Sequence, residues 1–261
     1  MSRIQARFTE LRTAKRTGLV TYITAGDPDL DRSAGIIKRL DAAGADVLEI
    51  GVPFSDPLAD GPVIQRATER ALAAGTTLPK VLAMLKGLRQ EISAPVVIFS
   101  YANPILRMGL GNFVKEATAA GVDGVLTLDM PPEEGGEFRD AFASSGIDTI
   151  FLLSPTTTVE RIRRAAQLGS GFLYGISRLG VTGVRDSVDA SAPELASRVK
   201  AETAMPLALG FGISRPEHVR AIGECADAAV VGSALVKVIA EHGQAPGLLD
   251  EVERYVRWLR N

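Results

Sequence analysis

Eight short apolar or β-branched runs recur along this chain, each separated from the next by a longer stretch with helical spacing. The runs cover residues 19–24, 46–50, 95–101, 124–128, 149–153, 171–176, 206–210 and 228–232. Most carry apolar side chains at successive rather than alternate positions. Strands covered on both faces look like this, so the runs predict parallel strands. Between them, residues 29–43 place Ile36, Ile37 and Leu40 on one face and stop at Gly44, and residues 78–91 do the same with Val81, Leu82, Leu85 and Leu88. Further helical stretches are expected at 112–120, 132–145, 159–168, 193–203, 216–223, 234–241 and 248–260. A proline or a capping hydroxyl at the start, and a glycine at the end, mark most of these segments. The interval between the second and third runs is the longest, and residues 62–73, opening on Pro62, fill it with an extra helix.

Eight βα units in 261 residues is the arithmetic of an α/β fold of the (β/α)8 TIM barrel type, a single catalytic domain over residues 1–261 with extra helices. The competing architecture, a doubly wound open sheet, would need a glycine-rich phosphate turn after its first strand. The turn here is Gly26-Asp27-Pro28, which cannot serve, and no linker or low-complexity segment splits the chain. The 29 Lys and Arg against 31 Asp and Glu give a net charge of −2, which argues against nucleic acid or an anionic membrane as the main partner. No apolar stretch reaches the roughly 20 residues of a membrane helix. The N-terminal residues lack the apolar core of a signal peptide, and a cytoplasmic protein is expected. The single cysteine, Cys225, excludes a disulfide framework and a cysteine metal cluster.

A barrel places its chemistry on the loops after the strands, at their C-terminal ends. Glu49 lies inside the second apolar run, where lost hydration raises a carboxyl pKa toward neutrality. It could instead be a buried acid paired with an arginine or accepting from a backbone amide. Asp60 follows in the next loop, where taken alone it reads first as a simple cap of the helix opening at Pro62. Together they form a carboxylate pair in two environments, as acid/base sites do. Glycine turns follow the last three runs: Gly180 to Gly183, then Gly210, Gly212 and Ser214, then Gly232 and Ser233. Bare backbone N–H groups at a helix N-terminus in this part of a barrel point to a phosphate site. Tyr101, Asn103 and Tyr174 could line the mouth, and Asp129 could be a turn or cap residue. All seven lysines fall in expected helices or at the N-terminus, so a Schiff base in the barrel is not expected. His218 and His242 fall on expected outer helices, so a catalytic metal is not expected.

The most specific stretch, LEIGVPFSDPLADGPVIQ at residues 48–65, resembles the tryptophan synthase α-subunit family, and the likeness runs from about residue 8 to residue 259. Further matching segments are TAGDP at 24–28, YANP at 101–104, DMPPEE at 129–134, SRLGVTG at 177–183 and GFGI at 210–213. Met130, where many members carry leucine, is a mild departure. The resemblance implies retro-aldol cleavage of indole-3-glycerol phosphate to indole and glyceraldehyde 3-phosphate. In that reading Glu49 is the general acid/base and Asp60 accepts from the indole N–H. Ile64, Tyr101, Tyr174, Thr182 and Phe211 lie near the substrate, and Gly183, Gly212, Gly232 and Ser233 hold the phosphate. Residues 179–190 would form a lid. The resemblance also implies a β-subunit partner in an αββα assembly, contacted through residues 53–60, with pyridoxal phosphate in the β subunit only and no cofactor in this chain. A free-standing indole-glycerol-phosphate lyase and an idle barrel kept as an allosteric partner are the alternatives.

Overall fold

Parallel hydrogen bonding joins the apolar runs into one continuous sheet. In the computed structural model, which describes residues 1–176, 191–210 and 212–261, the strands are β1 (Gly18–Thr24), β2 (Val47–Gly51), β3 (Val96–Ser100), β4 (Gly124–Thr127), β5 (Asp148–Ile150), β6 (Leu152–Leu153), β7 (Leu173–Ile176), β8 (Leu207–Gly210) and β9 (Ala228–Val231). They pair in the order β5-β4-β3-β2-β1-β9-β8-β7-β6. The two ends of that order, β5 and β6, are halves of one expected run, divided at Phe151. β5 bonds to β4, β6 bonds to β7, and the Phe151 carbonyl accepts from the Tyr174 N–H at 3.0 Å. The ring therefore closes through residues 148–153, and the fold is a (β/α)8 TIM barrel.

The helices are α1 (Arg3–Thr13), α2 (Leu30–Ala42), α3 (Pro62–Ala73), α4 (Leu78–Leu88), α5 (Ala102–Met108), α6 (Leu110–Ala119), α7 (Gly136–Ala143), α8 (Val159–Leu168), α9 (Ser191–Glu202), α10 (Pro216–Gly223), α11 (Ser233–His242) and α12 (Leu248–Leu259). α7 begins four residues later than the sequence suggests. The Pro131 carbonyl accepts from the N–H groups of Glu134 and Gly135, so a turn takes up those residues. Two helices were not foreseen. α5 is too short to show a period. α1 is polar overall, but Ser2 and Gln5 form a reciprocal capping box and Ile4, Phe8 and Leu11 are its buried face.

Strand alternation sorts the core into two regions. Outward residues such as Leu48, Ile50 and Ile98 pack against the helix ring. Inward residues Val20, Val47, Val97, Leu126, Ile150 and Phe172 fill the barrel, and α1 covers its floor with Ile4, Phe8 and Leu11. The Phe8 and Phe172 rings sit 5.3 Å apart there.

The floor also carries a polar ring. Asp46, Asp123 and Asp227 each precede a strand and accept from the first N–H groups of the neighbouring strand, at Leu19, Val96 and Leu207. Each is also paired with an arginine of the N-terminal segment: Arg16 with Asp46 at 2.6 Å, Arg3 with Asp123 at 3.0 Å, and Arg12 with Asp227 at 2.7 Å. Ser2 donates to Asp148 in the same ring. With the floor sealed, the open end of the barrel is the C-terminal end of the strands.

Candidate active site

Val47 points into the barrel and Leu48 points out, so Glu49 points in, one layer nearer the mouth. Its strand neighbours in register are Tyr22 on β1 and Val97 on β3. Glu49 is fully buried, and neither carboxylate oxygen has a hydrogen-bond partner among the described residues. Among the described residues it is neither paired with an arginine nor bonded to a backbone amide. Burial in these apolar surroundings pushes its pKa up from 4.5 to about 8.

Asp60 sits in the loop between β2 and α3 and is also buried. It does not cap α3: the N-cap is Gly61, and no side chain bonds there. Its Oδ2 accepts from the Tyr101 hydroxyl at 3.2 Å. Burial raises its pKa to about 6, against the opposing pull of that hydrogen bond. The Tyr101 oxygen also accepts from the Ala59 N–H at 3.0 Å, and Gln65 Nε2 donates to the Asp60 carbonyl at 2.9 Å. The Phe54 ring lies 5.0 Å from that of Tyr101. These contacts fix the loop, so the carboxylate is held by structure on both sides of it.

Near the two acids is an aromatic and aliphatic wall. Ile64 and Ala67 of α3 pack with Tyr22, Phe99 and Val236. Tyr22 meets Phe99 edge-on at 5.2 Å, and Phe99 lies 6.5 Å from Tyr174. Burial, with a contribution from the Glu49 and Asp60 charges, raises the pKa of both Tyr22 and Tyr174, so both stay protonated. Tyr22 was not singled out in the sequence. Its signal was register: it is the inward residue of β1 opposite Glu49. Gly51 at the end of β2 makes room for it, because a Cβ there would stand 2.3 Å from the Tyr22 hydroxyl.

Across the mouth, β8 and β9 pair Gly210 with Val230, so the following loops leave the sheet side by side. Gly212 has φ +64°, a left-handed conformation that favours glycine. Gly232 is the N-cap of α11 with no side-chain bond, and the buried Ser233 is its first residue. The first N–H groups of a helix have no intrahelical acceptors. Thr182, Gly183 and Phe211, and the expected lid at 179–190, lie outside the described residues. Asn103 is exposed on α5, away from the acids' hydrogen bonds, and Asp129 accepts from the Ala102 N–H at 2.7 Å, capping that helix. Among the described residues no three His, Cys, Asp or Glu side chains gather as a metal site would require.

A closed parallel barrel with two carboxyl groups of displaced pKa inside its mouth defines a class: a TIM-barrel enzyme. The particular family follows from comparison with known proteins. The family model described as tryptophan synthase alpha chain matches residues 8–257, and the chain belongs to that family. It is 52% identical to the tryptophan synthase alpha chain of Geotalea daltonii over 91% of this chain and 90% of that one. It is 49% identical to that of Geobacter sulfurreducens, covering 100% of this chain and 98% of the relative. Among solved structures, Mycobacterium tuberculosis tryptophan synthase superposes with a TM-score of 0.92 at 35% identity, over 99% of this chain and 97% of the other. The Legionella pneumophila alpha subunit gives 0.90 at 38% identity, over 100% and 97%.

Proposed function

We propose that this chain, acting as one catalytic barrel domain, cleaves indole-3-glycerol phosphate to indole and glyceraldehyde 3-phosphate, with Glu49 and Asp60 as the reacting acids. The observation that carries the assignment of roles is the split between their pKa values. Near pH 7 a carboxyl at about 8 holds its proton and one at about 6 has lost it. Glu49 is then the donor and Asp60 the fixed negative charge.

The steps balance on those two groups. Asp60 accepts from the indole N–H and stabilises the positive charge that grows on the ring as C3 is protonated. Glu49 gives its proton to C3. The resulting carboxylate takes the proton of the side-chain hydroxyl next to the ring as the carbon–carbon bond breaks and that carbon becomes an aldehyde. Glu49 ends protonated, ready for the next turnover. The wall of Ile64, Tyr22, Phe99 and Tyr174 suits a flat apolar ring. Gly212, Gly232 and Ser233, with Thr182, Gly183 and Phe211, complete the proposed substrate and phosphate contacts.

The mouth also supports a docking role. Leu58 is 93% exposed and Leu106 57% exposed, both on loops or helices that follow strands. A β subunit seated there, in an αββα assembly and carrying pyridoxal phosphate, would receive the indole. No helix among the described residues is long and apolar enough to cross a membrane, and we place the reaction in the cytoplasm.

The test is indole release from indole-3-glycerol phosphate by the purified chain, with and without a β subunit, beside Glu49→Gln. Slow release alone, strong stimulation by β and loss in the variant support the proposal. Retained turnover in Glu49→Gln would remove its assigned role, and fast release without β would favour a free-standing lyase.

A further inference from the structure

The loop after β8 is tied from outside the barrel by two side chains that the proposed reaction does not use. The Ser214 N–H donates to Nδ1 of His218 at 3.3 Å. The Ser214 carbonyl accepts from the Tyr255 hydroxyl at 3.0 Å. His218 is on α10 and Tyr255 on α12, so the two peptide groups flanking the Ser214 Cα are each held by a separate helix. The neighbouring Ile213 side chain is buried in the core between sheet and helices, and the His218 N–H returns to the Arg215 carbonyl at 3.1 Å. His218 is itself buried, and as an acceptor its Nδ1 carries no proton. Burial raises the pKa of Tyr255, which keeps the hydroxyl a donor. Two residues upstream lies Gly212, in its left-handed conformation.

An anion bound by backbone N–H groups gains most when those groups are already in place, because the protein then does not reorganise on binding. A mobile peptide would have to be ordered by the ligand, at the expense of affinity. The ties on Ser214 supply that order.

We propose that His218 and Tyr255 are positioning residues for the phosphate end of the substrate: they fix the backbone of residues 212–215 and thereby the Gly212 amide. The proposal rests on the reading of Gly212 as a phosphate contact. It predicts an effect that follows the phosphate group rather than the cleavage chemistry.

The test compares wild type, His218→Phe, His218→Asn and Tyr255→Phe. One readout is binding of inorganic phosphate by calorimetry. The other is the kinetics of indole-3-glycerol phosphate against phosphate-free indole-3-glycerol. Each Phe variant should weaken phosphate binding and raise KM for the phosphorylated substrate about 5-fold, the worth of one hydrogen bond. The rate on the phosphate-free compound should not change. His218→Asn, whose Oδ1 can accept in place of Nδ1, should retain most of the affinity. Phosphate binding by wild type that is unaltered in both Phe variants would remove the positioning role and leave the phosphate site standing. Equal losses on both substrates, or an Asn variant as weak as His218→Phe, would also overturn it. A wild type that binds no phosphate would overturn the Gly212 reading itself, and the proposal with it. Should His218→Phe fail to fold, Tyr255→Phe, which keeps its ring, carries the test.

Discussion

Replacing Glu49 with glutamine should stabilise the fold while it abolishes turnover, and the gain should depend on pH in a defined way. The folded chain holds the Glu49 proton up to about pH 8, whereas the unfolded chain releases it near 4.5. Between those values the folded state binds more protons, so stability falls as pH rises through the window. Below pH 4.5 the carboxyl is neutral in both states and there is no penalty. Above pH 8 the penalty is complete, at about 5 kcal/mol from 1.36 kcal/mol per pKa unit. Glutamine has the same shape and no charge to lose. The Glu49→Gln advantage should therefore be under about 1 kcal/mol at pH 5, about 3 kcal/mol at pH 7 and about 5 kcal/mol at pH 9. Denaturant titrations of both proteins at those three pH values measure it. A constant difference from pH 5 to pH 9, or a glutamine variant less stable at pH 9, would refute the claim that the fold tolerates there, for the sake of reactivity, a buried carboxyl with no partner among the described residues.

Tyr101→Phe removes the hydroxyl that favours ionised Asp60, so the acid limb of the kcat/KM–pH profile, expected near pH 6, should move to higher pH. An unmoved acid limb would separate Asp60 from that limb. Asp46→Ala orphans the Leu19 N–H and should cost about 2–3 kcal/mol in denaturant unfolding, with kcat per folded molecule unchanged. Gly51→Ala brings a methyl group onto the Tyr22 hydroxyl and should lower kcat/KM at least about tenfold, about 1.4 kcal/mol, in steady-state assays.

The barrel was legible because its strands are apolar at successive positions and its helices end at glycine, both local signals. The division of the fifth run at Phe151 was not, since it depends on which neighbour each half finds. Glu49 stood out because an acid in an apolar strand is chemically odd. Tyr22 did not, because an aromatic in a strand looks like ordinary core, and its importance comes from the register of β1 on β2. For Asp60 taken alone the sequence favoured a helix cap, and only its pairing with Glu49 pointed to chemistry. The bond from Tyr101, 41 residues away in the chain, decides against capping. His218 read only as an outer-helix residue, and its contact with Ser214 depends on how tightly α10 turns back on its own loop.

The polar ring beneath the barrel has a meaning for the order in which the chain can settle. Translation produces α1 first, yet Arg12 of α1 meets its partner Asp227 only 215 residues later. Ser2 waits for Asp148, and Arg3 for Asp123. A nascent chain that has reached β5 can have satisfied some of these partners but not the last. The opening helix thus remains only partly anchored until the eighth and ninth strands flank Asp227, and it acts as a late keystone that rewards a complete ring over any shorter one.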